Sequence, residues 1–230
     1  MLLEFIHENI WVAKKPSAMA AALPGQLMTI IRMADGSLFI YAPFLPDELL
    51  ARQIAGLGPV QAVISPNRLR YSGLASFLSQ MPDCHYYCPP GMEVRIRKSS
   101  GNHRSYQLTP FSENAPWQSE IEQLHISGMP LIDESVFYHR PSKTLLTCDL
   151  LTYPEKDSGH LAALVNRFLG VRAGTLSQSR LFRSCIRNKN EYNKAIHRLQ
   201  EWDFERVIIS NHGGVLCEDA TALIPRLKVA

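Results

Sequence analysis

The loop ISPNRLRYSGL, from Ile64 to Leu74, contains the side chains best suited to binding a small anion. Arg68 and Arg70 carry planar guanidinium groups, whose paired N–H donors match the oxygens of a carboxylate or a phosphate. Asn67 and Tyr71 add an amide and a phenol, and the loop contains no carboxylate, histidine or thiol. These residue types suit the binding of an anion as well as a purely structural role, and they give no sign of acid–base or nucleophilic catalysis.

The neighbouring segments predict how this loop is positioned. The preceding run PVQAVIS is typical of a short buried strand, and the following SGLASFLSQMP predicts a helix. Further upstream, a hairpin is predicted around Asp35-Gly36, and PDELLARQIAGLG predicts a helix that ends at Gly58. The loop therefore follows a strand, which is where α/β proteins commonly bind ligands.

The second half of the chain repeats this pattern after a polar segment. Residues 92–118 predict a surface excursion, in which VRIR could also form an edge strand. Three strands are then predicted in EIEQLHIS, SVFYHR and KTLLTCDLL. Helices in HLAALVNRFLG and NEYNKAIHRLQEW and a strand in RVIIS follow, without a linker. We therefore expect one domain over residues 1–230.

The composition limits the classes of partner and the compartment. With 24 basic and 21 acidic residues among 230, the formal charge of +3 is too small to indicate a nucleic-acid partner by itself. Five scattered cysteines predict free thiols in a reducing cytoplasm. Because no apolar run reaches the length of a spanning helix, we expect no membrane partner.

Two strand-rich halves, each completed by helices, resemble the metallo-β-lactamase superfamily. VISPNRLRYSGL lies where that family has its His-x-His-x-Asp-His loop, and HISGMP, LLTCDLL and VIISNHGG resemble its later ligand segments. RMADGSLFIYAP, LGPVQAVISPN, CPPG and VFYHRPSKTLLTCDL are more narrowly similar to its DUF4336 branch. The resemblance implies an α/β (α+β) fold, an αββα sandwich of two mixed β-sheets flanked by helices, and a hydrolase-like ancestry.

The resemblance also implies that most metal ligands have been replaced. With Gly73 matched to the glycine after the first motif, four ligand positions hold unsuitable residues: Pro66, Arg68, Arg70 and Tyr71. Met129 stands where a histidine is expected, whereas Asp149 and His212 keep the places of the bridging aspartate and the last histidine. A catalytic zinc ion usually needs three protein ligands, so the two that remain are too few.

Two functional hypotheses follow from this replacement. The first is a protein without a cofactor that binds a small anion or a protein partner, with Asn67, Arg68, Arg70 and Tyr71 at the vacated site. The second is a divergent metal-dependent hydrolase, in which Asp149 and His212, with His125 or His139, hold one zinc or iron ion.

Structural roles are the alternatives for the same residues. Asp149 could accept hydrogen bonds from loop amides or from His212, as a buried carboxylate must find donors. One of the two loop arginines could form an ion pair with Asp149 while the other is solvated.

A second basic region is predicted near the C-terminal helices. Arg180, Arg183 and Arg187 fall on one predicted helical face, followed by Lys189, Lys194 and Arg198. Such a face could bind nucleic acid or an acidic partner. We expect a solvated helix face instead, because the overall charge is small and no nucleic-acid motif accompanies it.

Overall fold

The computed structural model describes residues 1–17, 25–81, 84–99, 107–111, 114–154, 160–211, 214–216 and 227. The chain forms two compact units, one made of Met1–Lys15 with Leu27–Glu120 and the other of Pro16–Gln26 with Ile121–Ala230. Each unit has its own cluster of buried apolar side chains. The prediction of one domain over the whole chain stays a prediction.

Seven strands form a mixed sheet that lies in the first unit, apart from its residue Gln26. In spatial order, which is also chain order, they are β1 (Leu3–His7), β2 (Ile10–Lys15), β3 (Gln26–Arg32), β4 (Leu38–Tyr41), β5 (Val60–Ile64), β6 (His85–Cys88) and β7 (Gln107–Pro110). β3 and β4 form the predicted hairpin, whose turn is fixed because the Ser37 amide donates to the Asp35 carboxylate at 2.8 Å. From β4 to β7 the strands are parallel, so their carboxyl ends share one edge.

Three helices connect the parallel strands: α1 (Glu48–Leu57), α2 (Tyr71–Gln80) and α3 (Glu93–Ser99). α1 begins as predicted, because the Asp47 carboxylate accepts a hydrogen bond from the Leu50 amide at 2.9 Å and caps the first turn. Leu50 and Ile54, four residues apart, enter the core of the first unit.

The prediction of a surface excursion over residues 92–118 was wrong. The segment contributes α3 and β7, and it buries Trp117 against the rings of Phe39 and Tyr87, with centroids at 5.3 and 4.5 Å. The polar, irregular composition of the segment led to that prediction, and the alternation in VRIR led to the alternative of an edge strand. Met92 and Ile96, spaced by four residues, both enter the core, which is the period of a helix and not of a strand.

The second unit contains a five-stranded mixed sheet. Its strands are β8 (Ile121–His125), β9 (Ser135–His139), β10 (Thr144–Thr147), β11 (Arg206–Ile209) and β12 (Val215–Leu216). Their spatial order is β12-β11-β10-β9-β8, with β10 and β11 parallel and the other pairs antiparallel. The three consecutive strands predicted in this half are confirmed.

In the described part of the second unit, three helices accompany the sheet: α4 (His160–Leu169), α5 (Arg180–Ser184) and α6 (Lys189–Gln200). α6 buries Tyr192, Ile196 and Leu199, which are spaced for one helical face, in the core of the second unit. α5 ends at Ser184, so the predicted single helical face running from Arg180 to Arg187 was wrong.

Two mixed sheets with helices establish the predicted α+β class. Among the helices that the structure describes, none has the length and apolar character needed to span a bilayer.

Candidate functional site

Asn67 shapes the basic loop of the first unit. Its side chain is fully buried, and its amide oxygen accepts a hydrogen bond from the Leu69 backbone N–H at 3.0 Å. The Ser65 hydroxyl donates to the Asn67 carbonyl at 3.3 Å, and the Ser65 amide donates to the Tyr87 carbonyl of β6 at 2.9 Å. This turn fixes the path of the chain from β5 into α2.

Arg68, Arg70 and Tyr71 follow the turn and are each partly exposed. Arg70 is the N-cap residue of α2, and in the described structure its side chain makes no capping hydrogen bond to the helix. Arg68 Nη2 donates to the Pro90 carbonyl at 3.2 Å. Two guanidinium groups thus lie in the loop that leads into the positive end of a helix.

Arg95 of α3 adds a third cation to this region. Its guanidinium carbon lies 4.2 Å from the centroid of the Tyr71 ring, a close cation–π contact. Sequence reasoning missed Arg95 as a site residue because the segment around it was taken for a surface excursion. The density of basic residues in VRIRK was the available signal.

Gly73 lets the first turn of α2 lie close to another backbone segment. A Cβ atom at this position would come within 2.2 Å of the Pro43 carbonyl oxygen, so no other residue fits without movement. The glycine that anchors the resemblance therefore has a packing role in this chain. It fixes the helix terminus to which Arg70 and Tyr71 belong.

Asp149 lies in the second unit, just beyond the carboxyl end of β10, and is partly buried. Asn211 stands just beyond the end of the neighbouring parallel strand β11, and its side-chain amide donates to Asp149 Oδ1. Parallel neighbours bring these two positions to the same edge of the sheet. The donor that the structure describes on this carboxylate oxygen is therefore Asn211, which precedes the predicted His212.

Glu134 holds the loop that carries Asp149. It is fully buried, and its carboxylate accepts hydrogen bonds from the Thr147 hydroxyl at 3.1 Å, the Cys148 amide at 2.8 Å and the Asp149 amide at 2.9 Å. Burial, together with the nearby charge of Asp149, raises the pKa of Glu134 to about 7, against the opposing effect of the backbone hydrogen bonds. Glu134 is thus a buried acid whose hydrogen bonds hold the loop after β10 in place.

The two histidines proposed as a third ligand lie elsewhere. His139 pairs with Thr144 at the start of β10, whereas Asp149 lies beyond its far end, five residues and about 16 Å further along the strand direction. The buried ring of His139 contacts the Ser142 hydroxyl at 2.7 Å through Nδ1. It lies at the wrong end of the strand to join Asp149.

His125 lies at the same end of the sheet as Asp149 but two strands away. It pairs with Ser135 across β8 and β9, and β9 separates it from β10, a displacement of about 10 Å. Its Nε2 contacts the Asp133 carboxylate at 2.8 Å. His125 therefore has an acidic partner of its own.

Met129, at the place of an expected histidine ligand, belongs to the apolar core of the second unit. It is 2% exposed and lies in the same buried cluster as Ile126 and Tyr192. The preceding Gly128 has φ +84°, and its carbonyl accepts hydrogen bonds from the Arg187 and Asn188 amides at 2.8 and 3.1 Å. The turn therefore packs against the start of α6 and directs Met129 into the core.

The donor set of the described residues does not fit the family's metal centre. Across those residues, no three histidine, cysteine, aspartate or glutamate side chains lie together as a metal site. His212 lies outside the described residues, so Asp149 is the one retained ligand position whose surroundings are known. Among the cysteines that the structure describes, namely Cys84, Cys88, Cys148 and Cys185, none forms a disulfide bond.

Sequence reasoning missed Glu134 and Asn211. Glu134 follows Asp133 and precedes an apolar run, and nothing in DESVFY indicates that its partners come from β10 or the loop after it. Asn211 was missed because its neighbour His212 is the residue type that commonly binds metals. The signal for Asn211 was its position directly after a buried strand, where polar side chains meet at a sheet edge.

Comparison with solved structures identifies the fold. The DIM-1 metallo-beta-lactamase matches with a TM-score of 0.64 at 16% identity, covering 99% of this chain and 94% of that chain. A metallo-beta-lactamase from Pontibacter korlensis matches with a TM-score of 0.62 at 13% identity, covering 97% and 95%. The Flv1 flavodiiron core from Synechocystis sp. PCC6803 matches with a TM-score of 0.63 at 11% identity, covering 98% of this chain and 59% of that one. The chain therefore has the metallo-β-lactamase fold.

The family is defined more narrowly by sequence. The family model described as Domain of unknown function (DUF4336) matches residues 7–181, and the chain belongs to that family. A comparison with curated proteins gives no match. Both steps of the resemblance drawn from the motifs are thereby confirmed.

Proposed function

We propose that this chain is a non-catalytic binding protein on a metallo-β-lactamase fold, and that its ligand is a small anion held by the basic loop of the first unit. The observation that carries the proposal is the stacking of Arg95 on Tyr71 at the start of α2, beside Arg68 and Arg70 in the same unit. The chemical class that suits this arrangement is a phosphate or a carboxylate.

Electrostatics supports an anion over a metal ion at this loop. Guanidinium groups stay protonated at every physiological pH and repel a dication, whereas imidazole and carboxylate ligands attract one. The N-terminus of a helix adds a partial positive charge and backbone N–H donors. Each of these contributions favours negative charge, so three cations and a helix terminus act in the same direction.

The contacts of Asn67 and Gly73 supply the preorganisation that a binding loop needs. The buried amide of Asn67 fixes the turn, and Gly73 lets α2 approach Pro43. A ligand that meets a fixed loop loses less conformational entropy on binding than one that must order it. We assign Arg68, Arg70 and Tyr71 to ligand contact, and Asn67 to shaping the loop.

The alternative hydrolase is less well supported. It needs a third protein ligand beside Asp149 and His212, and the rings of His125 and His139 are engaged by Asp133 and Ser142 instead. The Asp149 carboxylate accepts a hydrogen bond from Asn211, and the Asp149 amide donates one to Glu134, which fits a structural role for Asp149.

Titration calorimetry with inorganic phosphate and, separately, with acetate tests the proposal. We expect saturable binding of at least one probe to the wild-type chain, weakened about tenfold or more by Arg70→Gln, because a charge-assisted contact contributes about 1.5–3 kcal/mol. Arg52→Gln on α1 is the matched control, since its exposed side chain lies outside the loop and should leave the affinity unchanged.

Two results would contradict the proposal. One is that neither probe binds the wild-type chain, and the other is that both probes bind the Arg68→Gln and Arg70→Gln variants as tightly as they bind the wild type. Hydrolysis of ester or lactam substrates that is abolished by Asp149→Ala would favour the hydrolase.

A further inference from the structure

Helices α4 and α5 expose large apolar side chains. Leu161 is 52% exposed, Leu164 64%, Phe168 82% and Leu181 67%. We call these four residues the α4–α5 apolar face. Large side chains exposed together, unlike singly scattered ones, mark an interaction surface.

Three of the four residues form one stripe along α4. At 3.6 residues per turn, Leu161, Leu164 and Phe168 fall within about 60° of the helix circumference. Ala162 lies on a different side of the helix and is the residue that α4 buries. The stripe is therefore separate from the side by which α4 packs on its own unit.

α5 adjoins the end of this stripe. Gly170, which follows α4 with φ +69°, lies so close to Arg180 that a Cβ atom would come within 2.4 Å of its Nε. Arg180 begins α5 and precedes Leu181. The contact brings the amino end of α5, where Leu181 stands, beside the carboxyl end of α4.

The same region concentrates the positive charge of the protein. Between His160 and Asn190 the sequence contains no acidic residue and six basic ones, namely Arg167, Arg172, Arg180, Arg183, Arg187 and Lys189. All six are exposed. The remaining chain has 18 basic against 21 acidic residues, so the net positive charge of +3 arises from these 31 residues.

We propose that the α4–α5 apolar face docks on an anionic lipid surface. A helix with exposed leucine and phenylalanine beside arginines is the combination that lies in a bilayer interface, with apolar side chains among the acyl chains and guanidinium groups at the headgroups. This interaction needs no spanning helix. The absence of a long apolar run, on which we based the expectation of no membrane partner, does not bear on it.

Charge favours an anionic lipid surface over a second copy of the chain or a nucleic acid as the partner of the α4–α5 apolar face. A second copy of the chain would place like-charged arginines against one another across a two-fold axis, which opposes association. A nucleic acid would suit the arginines, but three leucines gain little from phosphates or base edges. An anionic bilayer satisfies both the apolar and the basic side chains.

Flotation of the full chain with vesicles tests the proposal. We expect binding to phosphatidylcholine vesicles that contain about one third phosphatidylglycerol, weak binding to pure phosphatidylcholine, and loss of binding at high salt. The double variant L164S/F168S should bind about tenfold or more weakly, since two inserted side chains are lost. R167Q/R172Q should weaken binding about fivefold per arginine.

Matched controls lie on α1. Leu49 is a helical leucine that is 53% exposed, and Arg52 is an exposed helical arginine. Leu49→Ser and Arg52→Gln should bind the anionic vesicles as the wild type does. Arg68→Gln should also keep binding, which separates this surface from the basic loop.

Three results would overturn the proposal. The first is that the wild-type chain does not float with anionic vesicles. The second is that the L164S/F168S variant floats as the wild type does. The third is that the chain is retained by mixed oligonucleotides but not by vesicles. In the last case the basic residues serve a nucleic acid, and the apolar face has another role.

Discussion

The Asp149 amide donates a hydrogen bond of 2.9 Å to the fully buried carboxylate of Glu134. Glu134 stands just before β9 and Asp149 just after β10, so the contact is brought about by the antiparallel pairing of these strands. It fixes the loop that carries Asp149, the residue at the place of the family's bridging aspartate. The buried acid itself leads to a pH dependence of stability.

The contribution of Glu134 to the stability of the folded chain should fall between about pH 5 and pH 7. In the folded chain the pKa of Glu134 is raised to about 7 from an ordinary 4.5, so the folded state binds this proton more tightly than the unfolded state does. The stabilisation is fully present below the unfolded pKa and is lost as the pH rises through the folded one. It amounts to about 3 kcal/mol of unfolding free energy.

Urea unfolding of the wild type and of Glu134→Gln over this pH range measures the effect. The decline assigned to Glu134 should be missing in the variant, because an amide does not titrate. Glu48→Gln, at an exposed position on α1, should keep the wild-type pH dependence. Parallel pH curves for the wild type and Glu134→Gln would contradict the assignment.

Restoring the family's histidine at Met129 should not restore a metal site. Met129→His should lower the unfolding free energy by about 2–4 kcal/mol, because it puts a polar ring into an apolar core and leaves a poorly filled space. Leu131→His, at a position that is 58% exposed, should cost little. Zinc binding by a fully stable Met129→His chain would show that the segment faces a metal site.

Alanine substitutions at two glycines distinguish the energetic cost of a steric clash from that of a strained backbone conformation. Gly91 has φ +81° and open space around it, whereas a Cβ atom on Gly128, with φ +84°, would come within 2.3 Å of the Asn188 carbonyl oxygen. Gly91→Ala should cost about 1 kcal/mol in unfolding free energy from the left-handed conformation alone. Gly128→Ala should cost at least about 2 kcal/mol more. Equal losses would mean that the turn before Met129 is not packed against α6.

Most strands and helices could be predicted from local pattern because their signals lie within the segment. The Asp35-Gly36 turn and the Asp47 cap act over three or four residues. α3 was missed because its segment is polar and the VRIR alternation also allows a strand, whereas the packing of Met92 and Ile96 favours a helix. At such positions tertiary packing outweighs the intrinsic secondary-structure propensity of the residues.

The candidate site was predicted less completely than the fold. The basic loop could be found because its arginines adjoin in sequence, whereas Arg95 reaches Tyr71 from another helix. The contacts of Glu134 come from residues 13 to 15 positions away, and Asn211 reaches Asp149 across 62 positions. Such pairs depend on strand register, which a single sequence does not specify.

This chain keeps the metallo-β-lactamase fold, and we propose that binding has replaced the family's metal chemistry in it. The most direct test of this claim is the metal content of the full chain, purified without chelator and measured by mass spectrometry. We predict zinc, iron and manganese each far below one atom per chain, with no change in content for Asp149→Ala. A stoichiometric amount of any of the three metals that is lost in Asp149→Ala would contradict the claim.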